Sequence, residues 1–195
     1  MAAEQALYWQ ACGLRPARVA INLSPRQLRD PLLVQHTENW LNETGAQPAW
    51  FEWEITENGM MDDVGPASKT LHQLSQLGFR IALDDFGTGY SSLGRLSDFP
   101  FDTLKIDLSF IKHLPHDNSS AAITRSIIAL AKGMGLMTIA EGVETEQQRD
   151  FLTEEGCDAI QGYLISPPLT PQAFTHWVAD YDAQNGRSLV DTRPG

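Results

Sequence analysis

Cysteine is nearly missing from this chain. Its 195 residues include two, Cys12 and Cys157, with no CxxC pair. Neither a disulfide framework nor a zinc site is suggested, and a reducing compartment suits the composition. Positive charge is also scarce. Fourteen Lys and Arg stand against 25 Asp and Glu, for a net charge of −11. Polymeric nucleic acid and anionic membrane surfaces are poor partners for such a chain, because their phosphates would be repelled. A small anionic ligand held through metal ions stays open. No apolar run approaches the roughly 20 residues of a membrane span. The N-terminus has no signal-peptide pattern. The reading is a cytoplasmic domain without direct membrane contact, whatever anchors its parent protein.

Hydrophobic residues make up 42% of the chain, enough for one domain with a sizeable core. Short apolar runs alternate with longer amphipathic ones. Strands are expected at Val19–Leu23, Phe51–Ile55, Arg80–Leu83, Thr103–Ile106, Met137–Ala140 and Ala159–Leu164. Helical spacing is expected over Pro31–Thr44, Ala67–Leu77, Ala121–Met134, Glu146–Glu155 and Gln172–Tyr181. Strand and helix in alternation, about 25–30 residues apart, mark repeated βα units and a parallel sheet. Six strands suit an open doubly wound sheet or part of a (β/α)8 barrel, which needs eight strands and typically about 250 residues. Residues 1–182 read as one domain that begins midway, in a helix with no strand before it. Residues 183–195 read as a mobile tail.

In both architectures ligands bind at the C-terminal ends of the strands. Those ends carry Asn22, Glu54 and Glu57, Asp84 and Asp85, Lys105 and Asp107, Glu141 and Glu144, and Gln161. The sharpest of these signals is Asp84-Asp85-Phe86-Gly87-Thr88-Gly89-Tyr90-Ser91-Ser92. Neighbouring side chains on a strand point to opposite faces, but where a strand gives way to a loop both carboxylates can aim at one spot. Alone, such a pair also suits an N-cap and turn. Acidic residues at four of the six strand ends favour an oxygen-rich site for Mg²⁺ or Mn²⁺. A lysine among them can orient a water, or take its proton if its pKa is lowered. The five histidines fall on helix or loop stretches and read as surface or packing residues.

These segments, in this order, resemble the EAL domain family of cyclic-di-GMP phosphodiesterases. Those carrying the resemblance are Asn22-Leu23-Ser24, Glu54-Ile55-Thr56-Glu57, the Asp84-Asp85-Phe86-Gly87-Thr88-Gly89 run, Lys105-Ile106-Asp107, Glu141-Gly142-Val143-Glu144 and Gln161-Gly162-Tyr163. The resemblance implies a TIM-type (β/α)8 barrel, here with about six βα units, that hydrolyses cyclic-di-GMP to linear pGpG. It implies Asn22, Glu54, Asp84 and Asp85 as ligands of one or two Mg²⁺ or Mn²⁺ ions. Lys105 would hold or deprotonate the attacking water, and Glu141 would be a further ligand or water contact. Asp107, Glu144 and Gln161 would support the site. Glu57 would brace the loop around Asp84–Ser92, which in the family links the site to a dimer interface. A homodimer and sensor or diguanylate-cyclase-like partner domains are implied too.

The chain departs from the family pattern in places. The Glu-Ala-Leu motif is not found, and the first two strands with that glutamate ligand would precede Met1. Asn58, Leu108 and Pro167 stand where the family commonly has other residues. Two readings follow: a phosphodiesterase domain impaired alone, or an inactive cyclic-di-GMP-binding or protein-interaction module.

Overall fold

The computed structural model describes residues 2–12, 14, 18–57, 64–88 and 93–185. Asn58, Gly89–Ser92 and the 186–195 part of the expected tail lie outside them. Six strands, β1 (Val19–Asn22), β2 (Phe51–Thr56), β3 (Arg80–Phe86), β4 (Thr103–Ile106), β5 (Met137–Ala140) and β6 (Ala159–Ile160), form one sheet. All neighbours are parallel and lie in sequence order, β1 to β6. Each crossover therefore returns to the adjacent strand in one direction, and with a fixed crossover hand every helix falls on the same face. A doubly wound sheet reverses its order partway. The architecture is a (β/α) barrel, incomplete because its edge strands β1 and β6 do not pair with each other.

Alternation along the strands separates two faces. Phe51, Ile55, Ile81, Leu83, Leu104 and Ile106 are fully buried under the helices, each worth roughly 1.5–3 kcal/mol of transfer free energy. The helices among the described residues are α1 (Ala2–Ala11), α2 (Pro25–Leu28), α3 (Leu33–Thr44), α4 (Val64–Gln76), α5 (Leu93–Leu96), α6 (Leu108–Ile111), α7 (Asn118–Gly133), α8 (Glu146–Glu154) and α9 (Pro171–Asn185). Leu71 and Leu74 of α4, and Ile127, Ile128 and Ala131 of α7, complete the core around Ile55, Ile81, Leu83, Leu104 and Ile106, while Phe51 packs in a smaller cluster with Ala6, Ala46 and Phe79. Helix α9 runs through Asn185, past the boundary expected at residue 182. No described helix is long and apolar enough to cross a membrane.

Two strands differ from their expected bounds. Strand β3 continues through Phe86, because a bulge carries it past the two aspartates. Strand β6 stops at Ile160 instead of Leu164. Beyond it the chain folds over the β5 loop: Val143 N–H donates to the Gln161 carbonyl at 3.0 Å, and Leu164 N–H to the Val143 carbonyl at 3.0 Å. A Cβ on Gly162 would lie 2.2 Å from the Val143 oxygen, so only glycine admits this approach.

Helices α1 and α9 touch through Trp9. Its ring lies 5.0 Å from that of Phe174, and its Nε1–H donates to Thr175 Oγ1 at 3.1 Å. A cavity of about 520 Å³ lies between them and the end of the sheet, lined in part by Trp9, Ile139, Gln161, Phe174 and Trp177.

Candidate active site

The site is built on one irregularity. Leu83 pairs with Leu104 and Phe86 with Ile106, so two residues of β3, Asp84 and Asp85, face the single residue Lys105 of β4. This is a β-bulge, which re-aims side chains at the cost of local pairing. Asp85 takes φ +55°, the only positive φ at a non-glycine residue among those described. That left-handed conformation costs a non-glycine residue roughly 1–2 kcal/mol. The bulge brings oxygens of Asp84, Asp85 and Glu141 within 4.8 Å of one another. Sequence alternation alone would have placed the two aspartates on opposite faces.

Lys105 is the centre of the cluster and is 5% exposed. Its ammonium donates to Glu54 Oε1 at 2.7 Å, to Glu141 Oε1 at 2.7 Å and to Asp84 Oδ1 at 3.1 Å. These four residues come from β2, β3, β4 and the residue following β5, so the sheet itself sets their spacing. Burial alone would lower the lysine pKa. Hydrogen bonds and charge from Glu141 and Glu54 outweigh it, and the value lies above the ordinary lysine value. Lys105 is therefore a fixed ammonium in this arrangement. Burial raises the pKa of Asp85, aided by the charges of Asp84 and Asp107. Burial also raises that of Glu141 against the pull of Lys105, with Asp84 and Glu54 adding to it.

Glu54, Asp84, Asp85 and Glu141 supply four negative charges against the single positive charge of Lys105. The excess, the oxygen-only donors and the raised acid pKa values all favour a further positive charge here. A divalent cation that prefers carboxylate oxygen fits this donor set.

The other expected residues take different positions. Asn22 pairs in register with Glu54 but is exposed at the free edge of the sheet. Glu57 is 1% exposed, and its Oε2 accepts the Gly87 N–H at 3.0 Å. Asp107 caps α6 by accepting the Ser109 N–H at 2.9 Å. Glu144 is exposed and contributes its backbone N–H to Gln148 Oε1. Gln161 is exposed and lines the cavity at Trp9, outside the carboxylate cluster.

Two residues were not anticipated. Glu52, 7% exposed, accepts a 2.6 Å hydrogen bond from Thr103 Oγ1 and lies 3.8 Å from Arg18 Nη1. It stands one inward position below Glu54, a placement that the alternation Phe51-Glu52-Trp53-Glu54-Ile55 carries. Gln148 is the other. Its sequence position shows a helix cap and nothing of its reach into another loop.

Comparison with known proteins agrees with this geometry. The EAL domain model matches residues 1–168. An uncharacterized signaling protein of Caulobacter vibrioides is 44% identical over 168 residues, 86% of this chain and 21% of that protein. The bifunctional diguanylate cyclase/cyclic di-GMP phosphodiesterase MucR of Pseudomonas aeruginosa is 40% identical over 178 residues, 91% of this chain and 26% of that protein. The solved MucR phosphodiesterase in complex with c-di-GMP superposes with a TM-score of 0.84 at 40% identity, covering 89% of this chain and 70% of that one. A manganese/cy-diGMP complex of Klebsiella pneumoniae BlrP1 gives a TM-score of 0.78 at 29% identity, covering 87% and 43%. The chain thus spans about a fifth to a quarter of the full-length relatives. By its matched length, its identity to these relatives and its fold, the chain belongs to the EAL domain family.

Proposed function

We propose that this domain hydrolyses cyclic-di-GMP to linear pGpG with the help of Mg²⁺ or Mn²⁺. The observation that carries the reading is the buried Lys105 ammonium amid Glu54, Asp84 and Glu141, with Asp85 turned toward them by the bulge. The BlrP1 manganese complex and the MucR ligand complex support the same metal and ligand classes. Asn22, Glu54, Asp84 and Asp85 would hold one or two ions, with Glu141 as a further ligand or water contact. The ions would supply Lewis acidity toward the phosphodiester and an activated water.

The chain's own groups set the geometry. Lys105, as an ammonium, holds the water or a phosphate oxygen and offsets charge developing on the phosphoryl group. Accepting a proton from the water would require its carboxylate partners to be drawn away first. Asp107 keeps the β4 loop in place, and Glu57 does the same for the Asp84–Gly87 bulge. Glu144 and Gln161 border the site. The domain would act in the cytoplasm, a reading that the two free cysteines support, as a homodimer or beside sensor and cyclase-like domains.

The test is hydrolysis of cyclic-di-GMP by the purified chain with Mn²⁺, beside Glu54→Ala and Lys105→Ala. Weak turnover is expected, because the sheet is open between β1 and β6. Linear product above the metal-free blank, abolished by both substitutions, supports the reading. Cyclic-di-GMP binding without product would instead favour a binding or interaction module, which the open edges of the sheet also suit.

A further inference from the structure

Helix α8 opens with a capping box. Thr145 Oγ1 accepts the Gln148 N–H at 3.2 Å, and the Gln148 carboxamide oxygen accepts the Thr145 N–H at 3.0 Å. Such a box needs only an acceptor on the third helical side chain, and glutamate serves as well as glutamine. Gln148 does more. Its oxygen also accepts the Glu144 N–H at 2.8 Å, and its Nε2 donates to the carbonyls of Ile111 at 3.2 Å and Lys112 at 3.4 Å. Those carbonyls close α6, the single turn that Asp107 caps. The side chain is 5% exposed, so its bonds do not compete with bulk water.

Helix ends leave carbonyls free at one terminus and N–H groups free at the other. One carboxamide here serves both, joining the end of the turn after β4 to the start of the helix after β5. Lys105 lies just before that turn. Glu141 lies just before Glu144, whose amide Gln148 holds. A second link runs parallel, where His116 Nε2 and Gln147 Oε1 are 3.2 Å apart. On its far side the β5 loop is fixed by Val143 N–H on the Gln161 carbonyl. We propose that Gln148 is a positioning residue that fixes the separation of the β4 and β5 loops and so keeps Glu141 on Lys105. The catalytic consequence rests on the phosphodiesterase reading; the positional one does not.

The decisive substitution is Gln148→Glu, which keeps the capping acceptor and removes the donor. Gln148→Met, neutral and of similar length, removes both and guards against a folding failure of the charged variant. Three quantities are read on the full chain: amide hydrogen exchange, the ¹³Cε NMR signal of Lys105 without metal, and steady-state hydrolysis of cyclic-di-GMP with Mn²⁺. Faster exchange is expected in both 108–112 and 141–145, with a moved Lys105 signal. The kcat should fall roughly tenfold, as for other supports of metal-site residues, with KM within about twofold. An unmoved Lys105 signal, or exchange altered only at the start of α8, would overturn the proposal and leave Gln148 a helix cap. If the parent chain gives no product, the phosphodiesterase reading fails by itself, and exchange together with the Lys105 signal still decides the role of Gln148.

Discussion

The Glu57 carboxylate, at the end of β2, accepts the backbone N–H of Gly87 at 3.0 Å, thirty residues along the chain. This bond pins the far side of the bulge that turns Asp84 and Asp85 toward Lys105. Glu57→Ala removes a buried acceptor and leaves the Gly87 N–H to find another, a loss of about 1–3 kcal/mol. Metal affinity should fall with it, by roughly 10–100-fold. Glu57→Gln keeps a carbonyl oxygen for the amide and should lose much less. Thermal unfolding and Mn²⁺ titration of the two variants check this; equal losses would mean that the Gly87 contact is not what matters.

Lys105 compensates three carboxylates at once. Lys105→Met fills similar volume and leaves Glu54, Asp84 and Glu141 facing one another. Breaking a buried ion pair from one side typically costs about 3–5 kcal/mol, and metal-free stability should drop by about that amount. Excess Mn²⁺ should restore part of it, because a cation then supplies the missing charge. Turnover should not return. The check is the unfolding midpoint with chelator and with Mn²⁺, beside the hydrolysis assay.

The sheet was readable from sequence because each βα unit repeats one pattern. Apolar runs such as Arg80-Ile81-Ala82-Leu83 and Met137-Thr138-Ile139-Ala140 fixed the strands to within a few residues. The cluster of Glu54, Asp84, Asp85, Lys105 and Glu141 was readable as a candidate site because these residues occupy one end of those strands. Three features were not, each for a physical reason. Sequence order of the strands, which rules out the doubly wound sheet, is a tertiary property that the βα pattern alone leaves undetermined. The bulge depends on a left-handed residue at Asp85, a conformation that sequence rarely signals outside glycine. The early end of β6 depends on Gly162 admitting the Val143 backbone, a contact between distant segments. Gln161, read within an apolar strand, consequently stands exposed at a cavity.

Asp85 bears both a positive φ and like charges from Asp84 and Asp107. Asparagine tolerates the left-handed region better and carries no charge. Asp85→Asn should therefore stabilise the metal-free chain by about 1 kcal/mol, a shift of about 2–4 °C for a domain of this size. It should weaken Mn²⁺ binding at the same time. Stability lost in place of gained would show that the Asp85 carboxylate makes a stabilising contact in the metal-free fold.

Acid should separate metal binding from fold stability. Asp85 and Glu141 are both held above the ordinary carboxylate range, chiefly by burial. A raised pKa in the fold means that the metal-free native state binds these protons more tightly than the unfolded chain does. Their contribution to stability is therefore fully present below the unfolded-state pKa of about 4 and is lost as pH rises through the raised folded values. Asp117, held below the ordinary range by Ser120, has the opposite sign but acts at lower pH, where its contribution is lost as pH falls through its depressed folded value. Mild acidification above that range should thus raise, or hold, the metal-free midpoint. Protons compete with a divalent ion for the same oxygens, so the extra stability given by Mn²⁺ should shrink over the same interval. Unfolding midpoints with chelator and with Mn²⁺, taken from about pH 7.5 to about pH 5 at fixed ionic strength, should therefore converge as pH falls. A Mn²⁺ increment that stays constant across that interval would place the ion on groups other than Asp85 and Glu141.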